Sequence, residues 1–168
     1  MSIEIRRGDV NDLEAFIRLL YEVRDAMPNK ECFFLDPPED IREMMVNGSM
    51  KLWVAMDGDC LAGAFDILIP GLSENNYGYD LGFTEEELLR VVNMDSAAVH
   101  PDYRGQGLQK RLMQEAEKYI RAAGNRILLC TVHPDNLFSL NNVLNQGYVI
   151  IMKKEKYGSV RYLLRKDI

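Results

Sequence analysis

The stretch Val99-His100-Pro101-Asp102-Tyr103-Arg104-Gly105-Gln106-Gly107-Leu108-Gln109 decides how the rest of this sequence is interpreted. An apolar run ends at its first residue, Pro101 interrupts the strand pattern, and a helical apolar pattern begins at Leu108. Gly105 and Gly107 lack a Cβ, so the backbone between strand and helix can turn sharply and approach a ligand closely. The first amides of a helix have no partner within the helix, and the dipole is positive there. The turn is therefore predicted to bind a pyrophosphate group.

The spacing of the glycines excludes two other phosphate-binding turns. A dinucleotide fingerprint needs a third glycine where Lys110 stands, and a Walker loop needs Gly-Lys-Ser/Thr after four spacer residues. Arg104 can add a side-chain clamp on the phosphates. On the glycine pair alone, an ordinary strand-to-helix turn without a ligand remains open.

The residues around the glycines resemble a known family. The hexapeptide from Arg104 to Gln109 is similar to the signature Q/R-x-x-G-x-G/A of the GCN5-related N-acetyltransferases (GNAT) and meets five of its six constraints. Gln109 departs from it, because the family has a small residue there. A second block, Asn136-Leu137-Phe138-Ser139 followed by Gly147-Tyr148, resembles the family's Asn-x-x-Ala/Ser and Gly-Phe/Tyr pairing. The resemblance covers most of the chain.

The resemblance implies a fold. It is a mixed α/β (α+β) acyl-CoA N-acyltransferase domain over residues 1–168, with a mostly antiparallel twisted sheet of about seven strands and about four helices. The fourth and fifth strands splay apart in this fold. The sequence's own patterns agree, since residues 91–99 and 127–132 are apolar strand runs and residues 13–23 carry an apolar helix face. Residues 70–90 form a longer segment than the shortest version of the family fold has between its strands. They are predicted as loop followed by a short acidic helix with a capping box of Thr84 and Glu87.

The resemblance also implies acetyl-CoA as the co-substrate, bound between the splayed strands. Its pantetheine arm would pair with the edge of the fourth strand, and the glycine turn would hold its pyrophosphate. The cofactor-binding residues implied in this way are Ala97, Ala98, Val99, Arg104, Gly105, Gln106, Gly107, Leu108, Gln109, Asn136 and Ser139.

Four residues are candidates for proton transfer. Asp95 lies where family members present a carboxylate to the amine, although a carboxylate in an apolar strand also needs a partner, so a structural hydrogen bond is the alternative. His133, at the end of the fifth strand, has a side chain whose ordinary pKa suits proton transfer near neutrality, or it only forms the turn. Val143 stands where many family members have a tyrosine that protonates the leaving thiolate. Tyr148 and Tyr103 are its possible substitutes, and the general acid stays open.

Four residues are candidate contacts of the acceptor substrate. Phe33 precedes the second helix, a region that lines the acceptor side in the family. Tyr77, Tyr79 and Asp80 lie in the 70–90 segment, and so long an excursion in a compact domain is usually functional. The alternatives are that Phe33 packs in the core and that the segment covers a surface or a dimer face.

The expected function is transfer of an acetyl group from acetyl-CoA to a primary amine of a small molecule or peptide. Val143 keeps an alternative open, a non-catalytic acyl-CoA-binding sensor with the same fold. The sequence does not specify the acceptor.

Length and composition indicate the number of domains, the partners and the compartment of the protein. A chain of 168 residues is one domain by its length and can bury a core without metal or disulfide support. The net charge of −6 predicts neither nucleic acid nor membrane as a partner. Three cysteines without C-x-x-C spacing, and no signal-peptide pattern, predict a cytoplasmic protein with reduced thiols. His100 and His133 lack closely spaced ligand partners, so no metal is expected, and the resemblance implies a possible homodimer.

Overall fold

One seven-stranded sheet organises the chain, and the computed structural model describes residues 2–124 and 127–168. The strands are β1 Glu4–Arg7, β2 Met50–Asp57, β3 Cys60–Leu68, β4 Val91–Val99, β5 Ile127–Val132, β6 Val149–Lys156 and β7 Ser159–Asp167. They are ordered β1-β2-β3-β4-β5-β7-β6. The β4–β5 pair is parallel and the other neighbouring pairs are antiparallel. The fold class expected from the sequence is confirmed.

Five helices within the described ranges cover the sheet: α1 Leu13–Asp25, α2 Pro38–Asn47, α3 Glu85–Leu88, α4 Leu108–Ala123 and α5 Leu137–Asn145. The apolar face expected for α1 is buried, and it packs with α2 on one face of the sheet. Helices α4 and α5 pack on the other face. The single-turn α3 begins with the expected capping box of Thr84 and Glu87. No helix in the described part of the chain is both long and apolar enough to cross a membrane.

The splay of β4 and β5 creates an opening in the sheet. The two strands pair only from Val91 with Ile127 to Asn93 with Leu129. Beyond that point β4 continues to Val99 and β5 to Val132 without being paired to each other. Because backbone groups along this gap have no strand partner there, the gap can receive an extended ligand.

Two buried asparagines hold the 70–90 segment against the sheet. The side-chain amide of Asn76 donates to the carbonyls of Gly71 at 2.8 Å and Leu88 at 3.0 Å, and its Oδ1 accepts from the Gly78 amide at 2.7 Å. From β4, the Asn93 side chain donates to the Asn75 carbonyl at 3.0 Å. The segment is thus tied down at several points by buried hydrogen bonds.

Replacement of Asn76 by alanine is expected to lower the free energy of unfolding by about 2–3 kcal/mol, because buried backbone groups lose their partners. Urea unfolding followed by circular dichroism measures the change. Asn75→Ala is the matched control, because the side chain of Asn75 is exposed. Its free energy of unfolding is expected to change by less than about 0.5 kcal/mol. Equal losses in both variants would contradict this account of the segment.

Candidate active site

A cavity of about 410 Å³ lies in the opening between β4 and β5. Three parts of the chain enclose it: the splayed strands, the N-terminal ends of α4 and α5, and the end of α1 with the segment that follows. Its lining residues are Val23, Ala26, Met27, Pro28, Cys32, Phe33, Asp95, Ala97, Val99, Arg104, Gln109, Thr131, Val132, Asn136, Phe138 and Ser139. The cavity therefore joins segments that are far apart in the sequence.

The glycine turn has the geometry expected of an anion site. Gly105 has φ +80° and Gly107, the residue before α4, has φ +69°. In this region L side chains are strained, and no described atom lies within 4 Å of a Cβ built at either glycine. The Leu108 side chain is buried in the core, so only its backbone amide is available to a ligand. The side chain of Arg104 lines the cavity.

The two sequence blocks of the resemblance meet at this cavity. Asn136 caps α5 by accepting from the Ser139 amide at 3.3 Å. The Gln109 side-chain amide, at the start of α4, donates to the Ser139 hydroxyl at 3.4 Å. Gln109, which replaces the family's small residue, therefore connects the two helix N-termini instead of crowding the turn.

The open edge of β4 is formed by alternate residues. The amide of His100 donates to the Ala62 carbonyl of β3 at 2.9 Å. Because N–H groups alternate in direction along a strand, those of Ala97 and Val99 point away from β3, toward the gap. Ala98 does not fit its predicted cofactor role: it faces β3 in the pairing with Ala64, and its side chain is buried against α1 and α2.

Asp95 reaches the cavity because β4 contains a bulge at this residue. Asp66 pairs with Ser96, and the next residue, Ile67, pairs with Met94, so Asp95 is the extra residue. Burial, with the negative charge of Asp36 nearby, raises the pKa of Asp95 to about 6. A carboxyl with that pKa can exchange a proton near neutral pH.

Asp36 and Asp66 were missed by the sequence analysis. With Asp95 and Ser96 they line a second, small cavity behind the first. Burial raises the pKa of Asp36, and burial together with the neighbouring Asp95 raises that of Asp66 well above its usual value. The available signal was the single carboxylate of Asp66 in an otherwise apolar strand, which needs a buried partner.

His133 lies directly after the lining residue Val132 and is 8 % exposed. Its Nδ1 accepts from the Asp135 amide at 3.1 Å and lies 3.8 Å from the Cys32 sulfur. In the neutral ring the hydrogen is therefore on Nε2. His133 stays a predicted second candidate for proton transfer.

The predicted acceptor residues separate into two groups. Phe33 lines the cavity, and Tyr77 lies behind it, with its hydroxyl 3.0 Å from that of Tyr157. Tyr79 and Asp80 do not line it, which corrects their predicted role. The Tyr79 hydroxyl donates to the Leu72 carbonyl, and the Asp80 carboxylate pairs with two lysines of β6, Lys154 and Lys156.

Side-chain contacts connect the segment after α1 to the end of the sheet at β6 and β7. The rings of Phe34 and Tyr157 stack with centroids 4.0 Å apart and planes inclined by 7°. Arg161, 4 % exposed, donates to the carbonyls of Glu31 and Lys156. These contacts join the segment after α1 to the β6–β7 turn. The sequence did not reveal the Phe34–Tyr157 and Arg161–Glu31 contacts, because in each the two partners are more than a hundred residues apart.

The profile of the GNAT acetyltransferase family matches residues 17–148. The chain belongs to this family. No curated protein matches the chain. This GNAT domain is similar to Arabidopsis thaliana NAA60 in complex with acetyl-CoA, with 21 % identity, 99 % of each chain covered and a TM-score of 0.74.

Two further GNAT structures have the same fold as this domain. The PaiA N-acetyltransferase from Thermoplasma acidophilum in complex with coenzyme A is 18 % identical, with 100 % of each chain covered and a TM-score of 0.71. The ribosomal-protein-alanine N-acetyltransferase from Brucella melitensis is 18 % identical, covers 98 % of this chain and 99 % of its own, and has a TM-score of 0.73.

The substitutes for the family tyrosine lie away from the cavity in this GNAT domain. Val143 is buried in the core. Tyr148 is 2 % exposed and donates to Glu117 of α4 at 3.3 Å, so its predicted role as proton donor does not fit its position. Tyr103 donates to Asp57 of the β2–β3 hairpin at 2.7 Å. Within residues 2–124 and 127–168, no group of three metal-ligating side chains is placed to hold a metal ion.

Tyr148→Phe is expected to leave the rate of acetyl transfer within about twofold of the native rate, because the hydroxyl lies outside the cavity. Loss of its hydrogen bond lowers the free energy of unfolding by about 1 kcal/mol. Release of free coenzyme A thiol and urea unfolding measure the two effects. A loss of rate of about a hundredfold would instead indicate a proton donor.

Proposed function

We propose that this GNAT domain transfers an acetyl group from acetyl-CoA to a primary amine by direct attack. The observation that supports this most strongly is the cavity itself, which brings Arg104 and Gln109, on either side of the glycine turn, together with Asp95. NAA60 forms a complex with acetyl-CoA and PaiA forms one with coenzyme A, which supports acetyl-CoA as the co-substrate of this chain.

The residues present fit an acyl-CoA. The turn from Gly105 to Gln109 offers amides at the positive end of the helix dipole, and Arg104 adds a cation for the pyrophosphate. The open backbone edge of β4 pairs with the pantetheine amides as a neighbouring strand would, and the Val99 amide is left for the thioester carbonyl. Asn136 and Ser139 complete the wall on the α5 side.

The chain's groups then act on the acceptor. Asp95 accepts a proton from the ammonium group, which leaves the amine free to attack. The Val99 amide donates to the oxyanion that develops on the thioester carbonyl. Acetyl-CoA supplies an activated thioester whose thiolate is a fair leaving group, so the reaction does not require the missing tyrosine.

The acceptor enters as a cation at neutral pH, and the carboxyls of Asp36 and Asp95 favour positive charge on the acceptor side. The Brucella relative is a ribosomal-protein-alanine N-acetyltransferase, which supports peptide amines as well as small amines as candidate acceptors.

The test is free-thiol release from acetyl-CoA in the presence of a panel of small amines and peptides with free amino termini. Amine-dependent release, with mass spectrometry identifying the acetylated amine, supports the proposal. Calorimetric binding of acetyl-CoA without release for any amine favours the sensor alternative, which Val143 motivates. Absence of binding contradicts both functions.

The pH dependence of kcat/KM tests the role of Asp95. We expect activity to fall as the pH drops through about 6, where Asp95 becomes protonated, because the protonated carboxyl cannot accept a proton from the amine. Measurement uses a saturating amount of acetyl-CoA and a limiting amine. This fall of kcat/KM at low pH is the acidic limb of the profile. If the acidic limb persists unchanged in Asp95→Asn, a group other than Asp95 causes it.

A further inference from the structure

A buried aspartate lies beside Asp95 and has no part in the reaction described above. Asp66 is 2 % exposed in the middle of β3, a strand that is otherwise apolar from Cys60 to Leu68. A carboxyl group in such a place needs hydrogen-bond partners. Asp66 accepts from the Ser96 amide of β4 at 3.0 Å, and its side chain lines the small cavity beside that of Asp95.

The β4 bulge creates this contact. Since Asp95 and Ser96 together oppose the single residue Asp66, the Ser96 amide binds one oxygen of Asp66 while Asp95 lies within reach of its carboxyl group. The Ser96 hydroxyl also donates to Oδ2 of Asp95 at 3.3 Å. The Asp95 carboxyl is therefore held by groups of two adjacent strands.

We propose that Asp66 is a positioning residue that stays a neutral carboxylic acid at neutral pH and donates its hydrogen to Asp95. The pair then carries one negative charge, on Asp95, the residue that faces the acceptor amine. The inference rests on the proposed function, in which Asp95 accepts the proton of that amine.

The surroundings favour this assignment of the proton. Asp36, in the segment before α2, lines the small cavity with the pair, and burial together with the charge of Asp95 raises the pKa values of Tyr77 and Tyr157. Two carboxylates in contact in a buried site do not both ionise near neutrality. Burial and the neighbouring Asp95 hold the pKa of Asp66 well above its usual value, and the pKa of Asp95 is about 6. Asp95 also lines the larger cavity, whereas Asp66 is 2 % exposed and lines the small one, so the shared proton resides on the more deeply buried Asp66.

The hydrogen bond has two consequences for Asp95. It fixes the orientation of the carboxylate, and it stabilises the charged form against burial and against the charge of Asp36. Without this donor, Asp95 would be protonated over more of the neutral range and would accept a proton from the amine less often.

Two variants of Asp66 separate this role from a structural one. Asp66→Asn keeps a donor for Asp95 and an acceptor for the Ser96 amide, so the acidic limb of kcat/KM is expected to stay within about 0.3 pH unit of native. Asp66→Leu removes the donor and is expected to move the limb upward by about one pH unit. At a pH well above the midpoint of this limb, kcat/KM of Asp66→Leu is expected to recover most of the value lost near neutral pH.

A structural role gives a different pattern, in which Asp66→Leu loses rate equally at every pH and its midpoint does not move. That pattern, or a shift in Asp66→Asn as large as in Asp66→Leu, would overturn the proposal. Circular dichroism and calorimetric binding of acetyl-CoA report whether each variant is folded.

Carbon-detected NMR titration of the aspartate side chains tests the pair without turnover. In the native protein Asp95 is expected to titrate near pH 6 and Asp66 at a higher pH. In Asp95→Asn the titration of Asp66 moves to lower pH, because the neighbouring charge is absent. An ionised Asp66 at neutral pH in the native protein contradicts the inference. If the native protein releases no thiol with any amine, the proposed function fails, while the titration still decides where the proton lies.

Discussion

Asp95→Asn is expected to lower kcat by about two to four orders of magnitude, the usual contribution of a positioned general base. Asparagine has nearly the same shape and lies in the same bulge, so it still fills the space beside Asp66 and Ser96. It cannot accept a proton from the ammonium group. The affinity for acetyl-CoA is expected to stay within about twofold of native, because the turn before α4 and the edge of β4 are unchanged.

Single-turnover thiol release and calorimetric binding measure the two quantities. Asp80→Asn is the matched control, since its carboxylate pairs with Lys154 and Lys156 outside the cavity; its kcat is expected to remain within about twofold of native. A drop in acetyl-CoA affinity of about a hundredfold in Asp95→Asn would show that the carboxyl organises the cavity instead of moving a proton.

Gly107→Trp is expected to weaken acetyl-CoA binding at least about a hundredfold, or about 2.7 kcal/mol. The glycine has φ +69° at the N-cap of α4, and no described atom lies within 4 Å of a Cβ built there. An indole at this position occupies the space in which the phosphates bind the helix amides. The strained backbone adds a cost of about 1–2 kcal/mol to folding.

The other end of α4 offers a control for that strain. Gly124 caps the helix with φ +88° and is exposed. As at Gly107, no described atom lies within 4 Å of a Cβ built there. Gly124→Trp is expected to lose similar stability in thermal unfolding and to bind acetyl-CoA with native affinity. If both variants bind equally well, the glycine turn is not the pyrophosphate site, and if both lose binding, general destabilisation explains the loss.

The acceptor side shows where sequence analysis was insufficient. Phe33 lines the cavity, because the segment after α1 reaches it, and its contact with the acceptor stays a prediction. Tyr79 and Asp80 were predicted to contact the acceptor because long loops are often functional, yet Asp80 pairs with lysines of β6. The Phe34–Tyr157 stack joins segments whose proximity depends on the whole sheet order. No local pattern encodes that proximity.

The proton-transfer candidates show the same limit. Asp95 was recognised from its place before the glycine turn, but its bulge and its contact with Asp66 depend on how β3 and β4 are paired. Tyr148 was a reasonable substitute for the missing tyrosine by sequence position. Its hydroxyl instead donates to Glu117, because β6 enters the sheet with that ring toward α4.

The sequence by itself determined the short-range features of this protein: the glycine turn, the capping box of α3, the apolar strands and the family to which they point. These follow from backbone dihedrals, helix-end hydrogen bonding and side-chain periodicity over a few residues. Only the tertiary structure decided which carboxyls share a proton, which tyrosines reach the cavity and how Gln109 connects α4 to α5. Those features depend on strand register and burial, which bring together residues that are distant in the chain and set their pKa values through the low-dielectric surroundings.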